Sequence, residues 1–112
     1  MELPAEVREK LGRMQEMQQQ AQSFLMQKQN IQVQKLEVEN ALKELENSKS
    51  SDSVFEIVGT VMLRKSSEEL KTSLGEKKDI YELRLKTITK QIDKLTEESK
   101  KLQEDIFSQV KR

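Results

Sequence analysis

Apolar residues at Met17, Phe24, Ile31, Val38 and Leu45 recur every seven positions through an otherwise polar stretch. That spacing draws one stripe along a helix that packs against a second helix. The companion positions are Met14, Ala21, Lys28, Lys35 and Leu42, so two lysines interrupt the seam at its middle. Pro4 suits a helix start, where its missing N–H is not needed, and the pattern predicts a helix over about 4–46. The next seven residues, "NSKSSDS" at 47–53, contain no apolar side chain and compete for backbone hydrogen bonds, as a loop does. Ser66 and Glu69 then have capping-box spacing. A second seam follows: Tyr81, Leu85, Ile88, Ile92, Leu95, Ser99, Leu102 and Ile106, in steps of four and three. It predicts a helix over about 66–111, supported by i to i+4 pairs Glu82 with Lys86 and Glu97 with Lys101. Gly75 lies inside it, at a cost of about 1 kcal/mol relative to alanine, and marks a place for a kink or fraying.

Two helices of nearly equal length pair most simply as an antiparallel hairpin, with facing residue numbers that sum to about 116. Phe24 then meets Ile92, and Met14 meets Leu102. The expected fold class is mainly α: a long antiparallel two-helix coiled coil with a single central β-hairpin, in one domain over 1–112.

The hairpin is the segment "VFEIVGTVMLR" within 54–65. β-Branched and aromatic residues flank Gly59-Thr60, and glycine at the first central position is what a two-residue type II′ turn requires. With Val58 opposite Val61, one face carries Val54, Glu56, Val58, Val61 and Leu63. The other carries Phe55, Ile57, Met62 and Arg64. Both faces are mainly apolar, and an isolated two-stranded hairpin is marginal in water with two unpaired edges. The reading is an assembly element that pairs with strands of other chains. The plainer alternative is a turn that folds down onto Leu70, Ile80 and Leu83, which are off the seam.

Composition narrows the function. Charged residues are 36% of the 112, aromatics 4%, and mean hydropathy is −0.80. That leaves little for a globular core. Twenty basic residues balance twenty acidic ones, so no overall field draws nucleic acid or an anionic membrane. No apolar run is long enough to span a bilayer and the first residues are too charged for a signal peptide, so a cytoplasmic protein is expected. With neither His nor Cys, and no glycine-rich phosphate loop, catalytic triads, thiolate chemistry and nucleotide binding have no candidates. No enzyme, metal or cofactor is expected. Glu68-Glu69 and Glu97-Glu98 read as solvated or first-turn acids.

Apolar residues also gather where the two helix ends should meet. Phe107 is off the stripe, Leu11 and Val110 flank it, and Leu3 precedes the helix. With Val7, Met14, Leu102 and Ile106 they form a partly exposed apolar cluster on ends that fray easily. Such a cluster can take irregular apolar partners, or it can simply seal the coil.

Helix, "VFEIVGTVMLRKSSEELKTSLGEKKDI", helix resembles the prefoldin family over essentially the whole chain, specifically its β-type subunit with one hairpin. The hydrophobic strand ending at Val58-Gly59, the Leu74-Gly75 step, "MELPAEV" and the Gln-rich "MQEMQQQAQ" carry the resemblance, the last two as in archaeal members. It implies a heterohexamer of two α-type and four β-type subunits whose hairpins form an intersubunit β-barrel. It also implies an ATP-independent chaperone whose coiled-coil tips capture non-native proteins and deliver them to a group II chaperonin. On that reading Val54, Phe55, Ile57, Val58, Gly59, Val61, Met62 and Leu63 assemble the hub, and Leu3, Val7, Leu11, Met14, Leu102, Ile106, Phe107 and Val110 meet clients. The alternative is a structural tether whose hairpin is an oligomerisation clip.

Overall fold

A computed structural model describes residues 3–49 and 53–111. The first helix, α1, spans Ala5–Asn47. The Pro4 carbonyl accepts from Val7 N and Arg8 N at 3.1 Å each, so proline stands just outside the helix and contributes only the acceptor it has. At the other end Ser48 donates its hydroxyl to the Leu45 carbonyl at 2.8 Å and its amide to the same oxygen at 3.3 Å. These bonds satisfy a carbonyl that the helix leaves without a partner. Residues 50–52 of the expected loop lie outside the described residues.

Strands β1 (Val54–Val58) and β2 (Val61–Lys65) form an antiparallel pair, and the second helix, α2, spans Ser67–Val110. Ser66 caps α2: its hydroxyl accepts from Glu69 N at 3.1 Å and its carbonyl accepts from Leu70 N at 3.1 Å. Gly75 does not interrupt α2, because the helix is continuous across it.

Contacts divide the chain into two units, Asn30–Leu85 and the combination of Met1–Gln29 with Lys86–Arg112. In Asn30–Leu85, Ile31, Val38 and Leu45 of α1 and Leu70 of α2 are buried, with Leu42, Leu74, Tyr81 and Leu85 half-buried beside them. Lys35 sits in the seam with its stem half-buried. Its ammonium reaches Glu39 at 3.6 Å along α1 and Glu82 at 3.7 Å on α2, so the charge stays solvated while the methylenes fill the layer. This corrects the expected Glu82 pairing with Lys86: the carboxylate turns across the helix pair instead. Glu97 and Lys101 likewise form no ion pair among those of the described residues.

In the other unit Val7, Ile88 and Leu102 are buried, and Met14, Met17, Phe24, Ile92, Leu95 and Ile106 are half-buried. Here the seam has a thin layer. Ala21 and Ser99 are too small to fill their seam positions, and a groove of about 420 Å³ opens beside them, lined also by Met17, Leu95, Thr96 and Gln103. In both units the partners across the helix pair keep the register in which paired numbers sum to about 116.

Candidate functional site

The hairpin is built by alternation. Val54 pairs with Lys65, Phe55 with Arg64, Glu56 with Leu63, Ile57 with Met62 and Val58 with Val61. Gly59 has φ 61°, whereas no non-glycine among the described residues has positive φ. A type I′ turn needs positive φ at both central residues, so Thr60 excludes it and the turn is the II′ form.

The hairpin is covered unequally from its base to its turn. At the base, Val54 and Phe55 line a recess with Ala41 and Leu45 of α1 and Leu70 and Leu74 of α2. Leu70 therefore meets the hairpin as the plain-turn reading expects, but Ile80 and Leu83 do not join it and stay exposed. Away from the base, Ile57 (69% exposed), Met62, Val58, Val61 and Leu63 all face water. A turn alone does not need apolar side chains on both faces, and an exposed apolar patch of this kind marks an interaction surface. Each outer strand edge also presents backbone groups that no other strand of this two-stranded sheet satisfies.

Sequence reasoning placed Glu56 on a strand face without giving it a partner. Glu56 and Lys65 are diagonal neighbours on the same face, and Lys65 Nζ lies 2.6 Å from Glu56 Oε2. Lys77 of α2 reaches Glu56 Oε1 at 3.9 Å. The hydrogen bond from Lys65, reinforced by both positive charges, holds the Glu56 carboxylate below its ordinary value of 4.5, against a smaller desolvation effect. The same hydrogen bond raises Lys65 above 10.5. Period-two spacing of the two residues about the turn was the available signal. The cluster ties the hairpin face to α2, and Arg64 adds a bond from Nη2 to Ser53 Oγ at 3.3 Å.

The helix-end cluster separates into two populations. Val7, at 1% exposure, is the most buried residue of the core, Leu102 is buried with it, and Met14 and Ile106 are half-buried. These four close the seam. Leu3, Leu11, Phe107 (64% exposed) and Val110 remain on the outside. The Lys111 ammonium lies 5.1 Å from the Phe107 ring centroid, a cation–π contact that leaves most of the ring in water.

Sequence reasoning also missed Leu25, Met26, Val33 and Leu36, which are exposed on α1 away from its seam. Among the described residues no three His, Cys, Asp or Glu side chains gather as a metal site, and no helix is long and apolar enough to cross a membrane.

Comparison with known proteins agrees with this geometry. A family profile described as "Prefoldin subunit" matches residues 8–112. The prefoldin subunit beta of Methanothrix thermoacetophila is 40% identical over 105 residues, covering 94% of this chain and 88% of the relative. That of Methanosarcina acetivorans is 35% identical, covering 94% and 90%. The crystal structure of the prefoldin beta subunit from Thermococcus strain KS-1 superposes with a TM-score of 0.91 at 32% identity, covering 99% of this chain and 97% of the other.

Proposed function

The chain belongs to the prefoldin family, and from that premise we propose that it is a β-type subunit of an ATP-independent holdase. It acts in the cytoplasm, without catalysis or cofactor. Its hairpin joins those of other subunits in a heterohexamer of two α-type and four β-type chains, as an intersubunit β-barrel. Its helix ends contact non-native proteins, which the assembly delivers to a group II chaperonin. The observation that carries this reading is the hairpin: apolar residues exposed on both faces of a two-stranded sheet with open edges have no use in a solitary chain.

Client contact falls to Leu3, Leu11, Phe107 and Val110, with Val7, Met14, Leu102 and Ile106 supporting them from below. Several such ends on one oligomer bind one client with an avidity above that of each contact, so no single contact has to be tight. Native mass spectrometry of the protein purified gently from its source cells tests the hub, and suppression of aggregation of a denatured client tests capture. A heterohexamer that suppresses aggregation is the expected result. A monomer or simple homodimer without a second subunit removes the multivalent mechanism and leaves the tether. A tether's dedicated docking site would lose binding on one or two substitutions, whereas a client surface loses it gradually.

A further inference from the structure

The glutamine-rich stretch of α1 is not used by either surface described above. Between Glu16 and Gln29 the only charged residue is Lys28, and it occupies a half-buried seam position. The outer side of this stretch is therefore neutral. Gln15, Gln18, Gln22 and Leu25 follow one another in steps of three and four, which places them in one line along the helix, and Gln19 and Met26 lie beside that line. The four glutamines border an open groove of about 580 Å³, and Leu25 and Met26, further along α1, are exposed. The α2 segment of the same unit is the opposite: Lys90, Asp93, Lys94, Glu97, Lys101 and Glu104 are all exposed.

Helix formation does not demand this choice, since Glu and Lys are as good helix formers as Gln and add ion pairs. A largely neutral face suits a neutral occupant: a charged partner would lose hydration there and find little countercharge beyond Lys100, which lines the neighbouring groove with Gln18. Nucleic acid would find Lys100 beside Gln18 but no run of cations for its phosphates. The glutamine side-chain amide offers both a donor and an acceptor, the same pair a peptide group carries. A folded helix has already spent its peptide groups on itself, whereas an extended, non-native chain has not. Leu25 and Met26 supply adaptable apolar contacts alongside.

We infer that the face formed by Gln15, Gln18, Gln19, Gln22, Leu25 and Met26 binds extended non-native polypeptide through side-chain amide to peptide-group hydrogen bonds, extending the client surface beyond the helix ends. This rests on the capture reading above. The test places a photo-reactive amino acid at Gln22, at Phe107, or at Glu97 as a control, each in the full oligomer with its α-type partner, and adds permanently unfolded, carboxymethylated α-lactalbumin. Cross-linking to the lactalbumin from both Gln22 and Phe107, well above that from Glu97, is expected. A Q19E/Q22E/M26E variant of unchanged helicity and oligomer mass should then bind the probe about tenfold more weakly. Cross-links from Phe107 with none from Gln22 above the control would overturn the inference and leave capture at the ends standing. Cross-links from Gln22 to another subunit would make the face an interface and overturn it equally. Failure at both Gln22 and Phe107 would remove the capture reading itself.

Discussion

The hairpin and the helix ends both leave large apolar side chains in water, but they constrain a partner very differently. On the hairpin, Ile57, Met62, Val58 and Val61 are held by a ladder whose register is set pair by pair, and the strand edges offer hydrogen bonds at fixed intervals. A partner has to match that lattice. At the helix ends Val7 and Leu102 already complete the seam, so Leu3 before α1, Leu11 on its second turn, and Phe107 and Val110 on the last turn of α2 are surplus to it, near ends that fray. They specify the chemistry of a partner without its geometry. On the proposed reading, equal apolarity serves one definite assembly in the first region and indefinite contacts in the second.

The difference can be broken most severely at the ladder. Val58→Asp with Val61→Asp puts like charges directly opposite each other beside the turn, which is destabilising in a strand pair and worse in an interface. Complete loss of the oligomer is expected by native mass spectrometry, with helicity by circular dichroism largely kept; an intact oligomer would remove the hairpin as hub. Next, Phe107→Ser with Val110→Ser should weaken client capture several-fold in aggregation assays while the oligomer mass stays unchanged.

Val7→Ala separates seal from surface. It should cost about 2 kcal/mol of stability in thermal melts, because the side chain is buried, whereas Phe107→Ala should cost under about 0.5 kcal/mol. Similar costs for both would merge the two populations. Gly75→Ala should stabilise α2 by about 1 kcal/mol, since a Cβ there meets nothing within 4 Å. If it instead weakens assembly, another chain approaches that glycine.

The smallest effect concerns Glu56. Its pKa is depressed in the folded chain, so its contribution is present above the ordinary 4.5 and is lost as pH falls through the lower folded value. Lys65 is raised, so its share is present below 10.5 and is lost as pH rises through the higher folded value. Glu56→Gln should abolish the acid-side change in hairpin amide shifts by NMR and leave the turn intact.

Much of this was legible in the residues because both periods are local. Steps of three and four marked both seams, glycine before threonine marked the turn, and Ser66 with Glu69 marked the start of α2. What escaped depends on size or on distance along the chain. Ala21 and Ser99 obey the seam's spacing yet leave a groove, since period records position and not volume. Leu70 looked off the stripe because Lys77 and Lys78 interrupt the apolar pattern between it and Tyr81; it is buried near Leu45 at the hairpin base. Val7 stands seven residues before Met14, so the heptad carried the signal for its burial. The Lys35 to Glu82 pair could not be read from either helix alone, because it requires both registers at once.

That pair has a consequence for symmetry. A seam that repeats every seven residues is nearly invariant to translation: one helix can slide past the other by a heptad and meet similar apolar neighbours again. A slide of seven puts Gly75 or Thr89 where Glu82 stands, and neither carries a charge to answer Lys35. One ion pair of modest strength thereby adds, to the short hairpin that joins the helices, a further mark that breaks the translational degeneracy of a repetitive surface.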